Sequence, residues 1–288
     1  FTSNRTSEAP EHGRSDAASP PLGLSALFAM LARRARGPCG LRAVAAARRN
    51  SRVRCLATNP GPMRTEDRLP IRREYKYTPS KRGAKVALNQ VLMNSKNLEE
   101  LLQMFETRGE DFDSVNLATC VHRFGGHFTR FGGGARDYVV GDVRMEKLVE
   151  RCIRGVNDFE ARHIANISLS LAKVDNVNAA SEFYAAAMPV ALKKISLFDP
   201  QALSSLAWAF ATARVPAPEL FAAIAREAPK KMELFTPQSF ANLVWAFATV
   251  RYDAPALFDS VAAEAPTRLI LFNSQDMANT VWAFATAG

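Results

Sequence analysis

Trp208, Trp245 and Trp282 are spaced by 37 residues, and the register extends far beyond them. Phe198, Phe235 and Phe272 keep the same spacing, as do Gln201, Gln238 and Gln275. Phe221 pairs with Phe258, Pro229 with Pro266, and Ala-Phe-Ala-Thr follows each tryptophan. Repetition at such a period marks an array of small supersecondary units. One unit cannot bury its own apolar faces, so its stability comes from stacking on neighbours.

Two weaker copies precede these three. Residues 159–174 align with 235–250, with Leu169 at the tryptophan position, and a two-residue insertion near 176–178 restores phase by Tyr184. Residues 112–125 align with 272–285, with His122 at the tryptophan position, and a loop of about ten extra residues is expected within 125–142. Residues 88–93 and 98–105 read as a divergent or capping pair. Units therefore start near 112, 159, 198, 235 and 272.

Each unit reads as two helices. The first opens at Asp199, Thr236 or Asn273, whose side-chain oxygens can satisfy free backbone N–H groups. Pro200 and Pro237 follow at the first helical position, taken by Ser274 in the third copy, where no N–H is needed. This helix is apolar nearly all round (Phe240, Leu243, Val244, Trp245, Phe247), so it must be buried on several sides. The second helix starts near Pro218 or Pro255, and Pro229 and Pro266 should kink it or end its regular part. The fold expected over 81–288 is all-α, a right-handed α-solenoid of two-helix repeats with a 37-residue period. Because the sequence stops at Gly288, just after a first helix, it is expected to lack C-terminal repeats.

Residues 1–80 read as a leader and a basic linker. Between Ala17 and Thr65 there is no Asp or Glu but there are nine Arg, the pattern of an organellar transit segment. Met30 is the more plausible initiator, and the run after it resembles a mitochondrial presequence. The expected location is the mitochondrial matrix, with the plastid stroma as the alternative. The apolar stretch 22–32 is too short to span a bilayer, which takes about 20 residues. Most of the net charge of +9 sits in this leader; residues 97–288 hold 18 basic and 22 acidic residues. The basic total is therefore no argument for nucleic acid binding by the folded part. Cys39, Cys55, Cys120 and Cys152 have no paired spacing. Cys120 and Cys152 read as buried thiols, not as a disulfide framework or a zinc site.

The pattern F-x-x-Q-x-x-A-N-x-x-W-A-F-A-T at 235–249 and 272–286 resembles the heptatricopeptide-type repeats of organellar RNA-metabolism proteins. Related groups are octotricopeptide proteins, FAST-kinase-domain-like proteins and a repeat subunit of the kinetoplastid RNA-editing substrate-binding complex. The resemblance covers about 112–288 and implies an organellar factor that binds single-stranded RNA. Transcript stability, processing, ribosomal RNA maturation and translation are the implied processes. Many such proteins end in a RAP domain. None is visible here, and the P-P-P-E-W signature of octotricopeptide repeats is absent.

Candidate contacts follow from the register. Trp208, Trp245 and Trp282 read as packing between units in preference to base-stacking platforms. Gln201, Gln238 and Gln275, with Asn166, Ser205, Asn242 and Asn279 one turn on, should align along one edge. There they either read base edges, as other helical repeats do, or hydrogen-bond between neighbouring helices. Lys193, Lys194, Lys230, Lys231 and Arg268 recur in register, either as a row following a phosphate backbone or as a solvated face. The Gly-rich run 124–136 lacks G-K-[ST] and is no P-loop; it reads as a flexible loop. His122, His127 and His163 have no metal-ligand spacing, and no hydrolytic motif is present. The expectation is a non-enzymatic binding protein without metal or cofactor. Its partners would be organellar RNA or, alternatively, proteins of a ribonucleoprotein or ribosome assembly.

Overall fold

The computed structural model describes residues 81–131, 141–174 and 179–287. The expected leader and its targeting segment lie outside them. The described residues are all-helical, with no strand among them. The α-helices are α1 (Lys81–Met93), α2 (Leu98–Arg108), α3 (Ser114–Phe131), α4 (Val143–Arg154), α5 (Ala161–Lys173) and α6 (Ala180–Lys193). They continue with α7 (Pro200–Thr212), α8 (Pro218–Glu227), α9 (Pro237–Val250), α10 (Pro255–Glu264) and α11 (Ser274–Ala287).

Contacts run between successive odd-numbered helices, α1 on α3, α3 on α5 and onward to α11. The even-numbered helices pack on one another in the same order. Two helical layers result, joined by 3₁₀ connectors at Gly109–Asp111, Val156–Asp158, Ile195–Leu197, Ala228–Leu234 and Ala265–Leu271.

Helix starts follow the capping chemistry. Asp199 accepts from the Ala202 N–H at 2.7 Å, Thr236 from Ser239 at 3.2 Å and Asn273 from Asp276 at 2.8 Å. The helices α8 and α10 end at Glu227 and Glu264, and Pro229 and Pro266 lie in the 3₁₀ segments that follow. The prolines thus end the regular part, because proline cannot donate the next helical hydrogen bond.

The core is built from one aromatic contact repeated between units. Tyr184 of α6 meets Phe210 of α7, Phe221 of α8 meets Phe247 of α9, and Phe258 of α10 meets Phe284 of α11. The ring centroids lie 4.9, 5.0 and 5.1 Å apart, all edge-on, the geometry that the ring quadrupoles favour. Phe112, Phe159, Phe198, Phe235 and Phe272 are all buried where a connector enters a first helix.

One expectation is corrected. The Gly-rich run, read as a flexible loop, is helical as far as Phe131; the loop of about ten residues expected within 125–142 falls mostly outside the described residues. Gly125 is there for packing. A Cβ on Gly125 would lie 2.8 Å from the Ser170 Cβ of α5, so only glycine allows this approach. Residues 132–140, including Arg136, lie outside the described residues.

Cys120 and Cys152 are buried free thiols. Burial pushes Cys120 up to about 12 and Cys152 up as well. No described helix is long and apolar enough to cross a membrane.

Candidate nucleic-acid interface

On a first helix, positions 3, 7, 10 and 14 after the leading Phe fall on one stripe. In α9 these are Gln238, Asn242, Trp245 and Thr249. Gln201, Gln238 and Gln275 are exposed, Asn166, Asn242 and Asn279 half-buried, and Ser205 buried. Among the described residues, no hydrogen bond joins these Asn side chains to a neighbouring helix. The bond found is within one helix, from Gln275 to Asn279 at 3.1 Å. The amides therefore face solvent, and inter-helix bonding is not what holds them.

The tryptophans lie on the same stripe. Trp208 and Trp245 have centroids 6.1 Å apart at 31°, and Trp245 and Trp282 6.3 Å apart at 35°. They pack on one another between neighbouring first helices, yet each keeps an open edge. Trp208 and Trp245 are half-buried, and Trp282 is 46% exposed. An amide row and an indole row thus share one accessible face.

The recurrent cations behave differently from a free phosphate row. Lys194 donates to the carbonyls of Asn157 and Phe159 at 3.0 and 2.6 Å. Lys231 donates to Ser196 and Phe198, both at 2.7 Å. Arg268 donates to Phe235 at 2.6 Å and to the Glu233 carbonyl. Each of the last three connectors is latched to the connector before it by the same two-carbonyl grip. Lys231 also pairs with Glu227 at 3.0 Å and Arg268 with Glu264 at 2.6 Å. Hydrogen bonds from Lys230 and then Lys231 hold the Glu227 carboxyl below its ordinary range. Lys193 and Lys230 are exposed, though Lys230 is paired with Glu227 at 2.9 Å.

Two arginines that the sequence reading passed over lie at the other end of the first helices. Arg214 and Arg251, 37 residues apart, are left-handed at φ 54° and 53°. Each sits in a Schellman turn, where the next N–H returns to a carbonyl five residues back: Val215 to Phe210 and Tyr252 to Phe247, both at 3.1 Å. Glycine is the usual residue there. Both arginines are exposed, and no ion pair engages either among the described residues. The 37-residue recurrence was a usable signal; the backbone conformation was not.

The histidines have local duties. The His163 Nδ1 accepts from the Glu160 N–H at 3.3 Å, and the His127 Nε2 lies 3.1 Å from the Ser95 carbonyl. Burial lowers the imidazoles of His127 and His163, and His122 is exposed.

Residues 141–288 match the family model of the RNA-editing substrate-binding complex 6 protein. The chain belongs to this family. Of the groups that the repeat resembles, the RNA-editing complex subunit is the one this match supports. The matched span takes in α4 to α11, and with them every tryptophan, amide and cation described above. The RNA-editing substrate-binding complex 6 family model does not reach α1 to α3. Among curated proteins none matches the chain significantly.

Proposed function

We propose that this member of the RNA-editing substrate-binding complex 6 family is a right-handed α-solenoid, with a 37-residue period, that holds single-stranded organellar RNA. The amide and indole rows on one open face of α5, α7, α9 and α11 carry this reading. Bases stack on aromatic side chains whatever their identity, and amides add hydrogen bonds to base edges. The action proposed is binding and presentation, with no bond made or broken, in a mitochondrial RNA-editing assembly. Transcript stability, processing, ribosomal RNA maturation and translation are the processes it would serve, and the acid-free leader fits import.

The test is ultraviolet crosslinking of the tagged full-length protein in isolated organelles, followed by sequencing of attached RNA. Peaks on organellar transcripts, weakened by Trp245→Ala at unchanged protein level, support the reading. Background crosslinking alone defeats it.

A second reading, a protein scaffold within such an assembly, draws on one observation. Leu197, Leu234 and Leu271 recur every 37 residues and are 72, 66 and 67% exposed. An apolar ladder of this kind suits a protein surface. RNA-independent co-purification of partners, lost on changing these leucines to Ser, would favour it.

A further inference from the structure

The latches take Lys194, Lys231 and Arg268 out of a phosphate row, so where other cations lie decides how RNA can be held. A cleft of about 510 Å³ opens between the α5–α6 hairpin and the end of α7. Lys173, Ser181, Tyr184, Thr212 and Arg214 line it together with small apolar residues. It contains two cations, and no acidic side chain lines it among the described residues.

Three features make it a place for an anion. Among the described residues the buried Thr212 hydroxyl has no hydrogen-bond partner, a state that costs free energy until an acceptor or donor arrives. Lys173 is exposed among the residues lining the cleft, where its positive charge can meet a phosphate. Arg214 is an arginine at a left-handed position where glycine would fit without strain. Strain retained in this way points to a use for the side chain.

We propose that Lys173, Thr212 and Arg214 form a phosphate site for the bound strand, gripping a phosphodiester beside the indole row. This rests on the RNA-binding reading above. Thr212 lies on the stripe of Gln201, Ser205 and Trp208, so a backbone seated in the cleft places its bases toward the tryptophans. A second cleft, between the α9–α10 hairpin and the end of α11, provides a comparison. It contains Arg251, there on the hairpin side and not at the end of the following helix, and Asp253 and Asp259 line it too. Those carboxylates oppose an anion, so Arg251 contributes less.

The experiment is a fluorescence-anisotropy titration of the full chain with a labelled oligouridylate over a series of salt concentrations. The variants are Lys173→Gln, Arg214→Gly, their double and Arg251→Gly. Each lost phosphate contact on a single strand lowers the slope of log affinity against log salt by about 0.7. That corresponds to a roughly fourfold loss at ~0.15 M salt per contact. The double variant should lose a slope of about 1.4, and Arg251→Gly should change affinity less than about twofold. Arg214→Gly relieves the left-handed strain, so its melting temperature should equal or exceed wild type, which separates lost binding from lost folding. A double variant with the wild-type slope, or equal losses in Arg214→Gly and Arg251→Gly, overturns the site and leaves the RNA reading standing. Failure of the wild-type chain to bind the oligouridylate at low salt removes both.

Discussion

Replacing Lys231 by Met keeps the aliphatic stem and removes the latch. The ammonium holds two connector carbonyls at 2.7 Å and one carboxylate oxygen at 3.0 Å, and its side chain is 21% exposed. Hydrogen bonds to a charged group contribute about 1.5–3 kcal/mol. The partly exposed ion pair adds little, so the loss should be about 2 kcal/mol. In a chain of this size 1 kcal/mol moves the melting temperature by about 2–4 °C, so Lys231→Met should melt about 4–8 °C early. Lys230→Met removes a side chain that is 66% exposed and paired three residues away, and it should cost less than about 0.5 kcal/mol. Lys231→Arg should be well tolerated, since Arg268 makes the same grip one unit later. Circular dichroism melts compare the three. Hydrogen exchange should place the lost protection at Ile195–Leu197 and Ala228–Leu234. If Lys231→Met melts with Lys230→Met, the latch contributes nothing to stability.

Further predictions test the packing and the charges. Gly125→Ala forces a Cβ to 2.8 Å from that of Ser170 and to 3.0 Å from its Cα, and urea denaturation should show a loss of about 1–3 kcal/mol. Gly126→Ala meets nothing within 4 Å among the described residues and should gain about 0.5–1 kcal/mol in the same assay. Arg251→Gly removes a left-handed penalty of about 1–2 kcal/mol; glycine's freer unfolded chain offsets part, so denaturation should show a net gain below about 1 kcal/mol. Burial raises the Asp276 carboxyl above its ordinary value, so ionisation opposes folding. Asp276→Asn should therefore be more stable than wild type at neutral pH. The difference should shrink as pH falls through the folded pKa and vanish below the unfolded one. The Glu227 carboxyl, lowered by Lys230 and Lys231, works in the opposite sense. Its support is complete above the unfolded pKa and is lost as pH falls through the folded one, so removal by Glu227→Gln should matter least in acid.

The sequence made the helix pairs legible because each unit carries the same local chemistry. Asp199, Thr236 and Asn273 announce helix starts, and Pro229 and Pro266 announce ends, through backbone groups that obey local rules. The latches were only half legible. The register of Lys194, Lys231 and Arg268 is plain in the sequence, but their acceptors are main-chain carbonyls, which leave no residue type to read. Spacing alone therefore could not separate a phosphate row from an internal grip. Gly125 misled in another way. Two adjacent glycines look like a break in a helix, whereas the first answers to Ser170, 45 residues away. The exposed edges of the tryptophans follow from stacking geometry, which apolar periodicity does not encode. Arg214 and Arg251 hid because left-handed backbone is ordinarily signalled by glycine or asparagine.

The latch has a temporal side. In each grip the carbonyls precede the cation in the chain, by 35 and 37 residues for Lys194 and by 33 and 35 for both Lys231 and Arg268. On a ribosome every acceptor is therefore made before its donor, and each finished hairpin can clip onto a connector already in place. The loop closed at each step has nearly the same length however many units the protein contains. Its entropic cost grows only with the logarithm of that length, so adding units does not raise the cost of a single closure. Local contacts of this kind keep contact order low and folding fast, and a nascent chain need never expose more than one unpaired hairpin at a time.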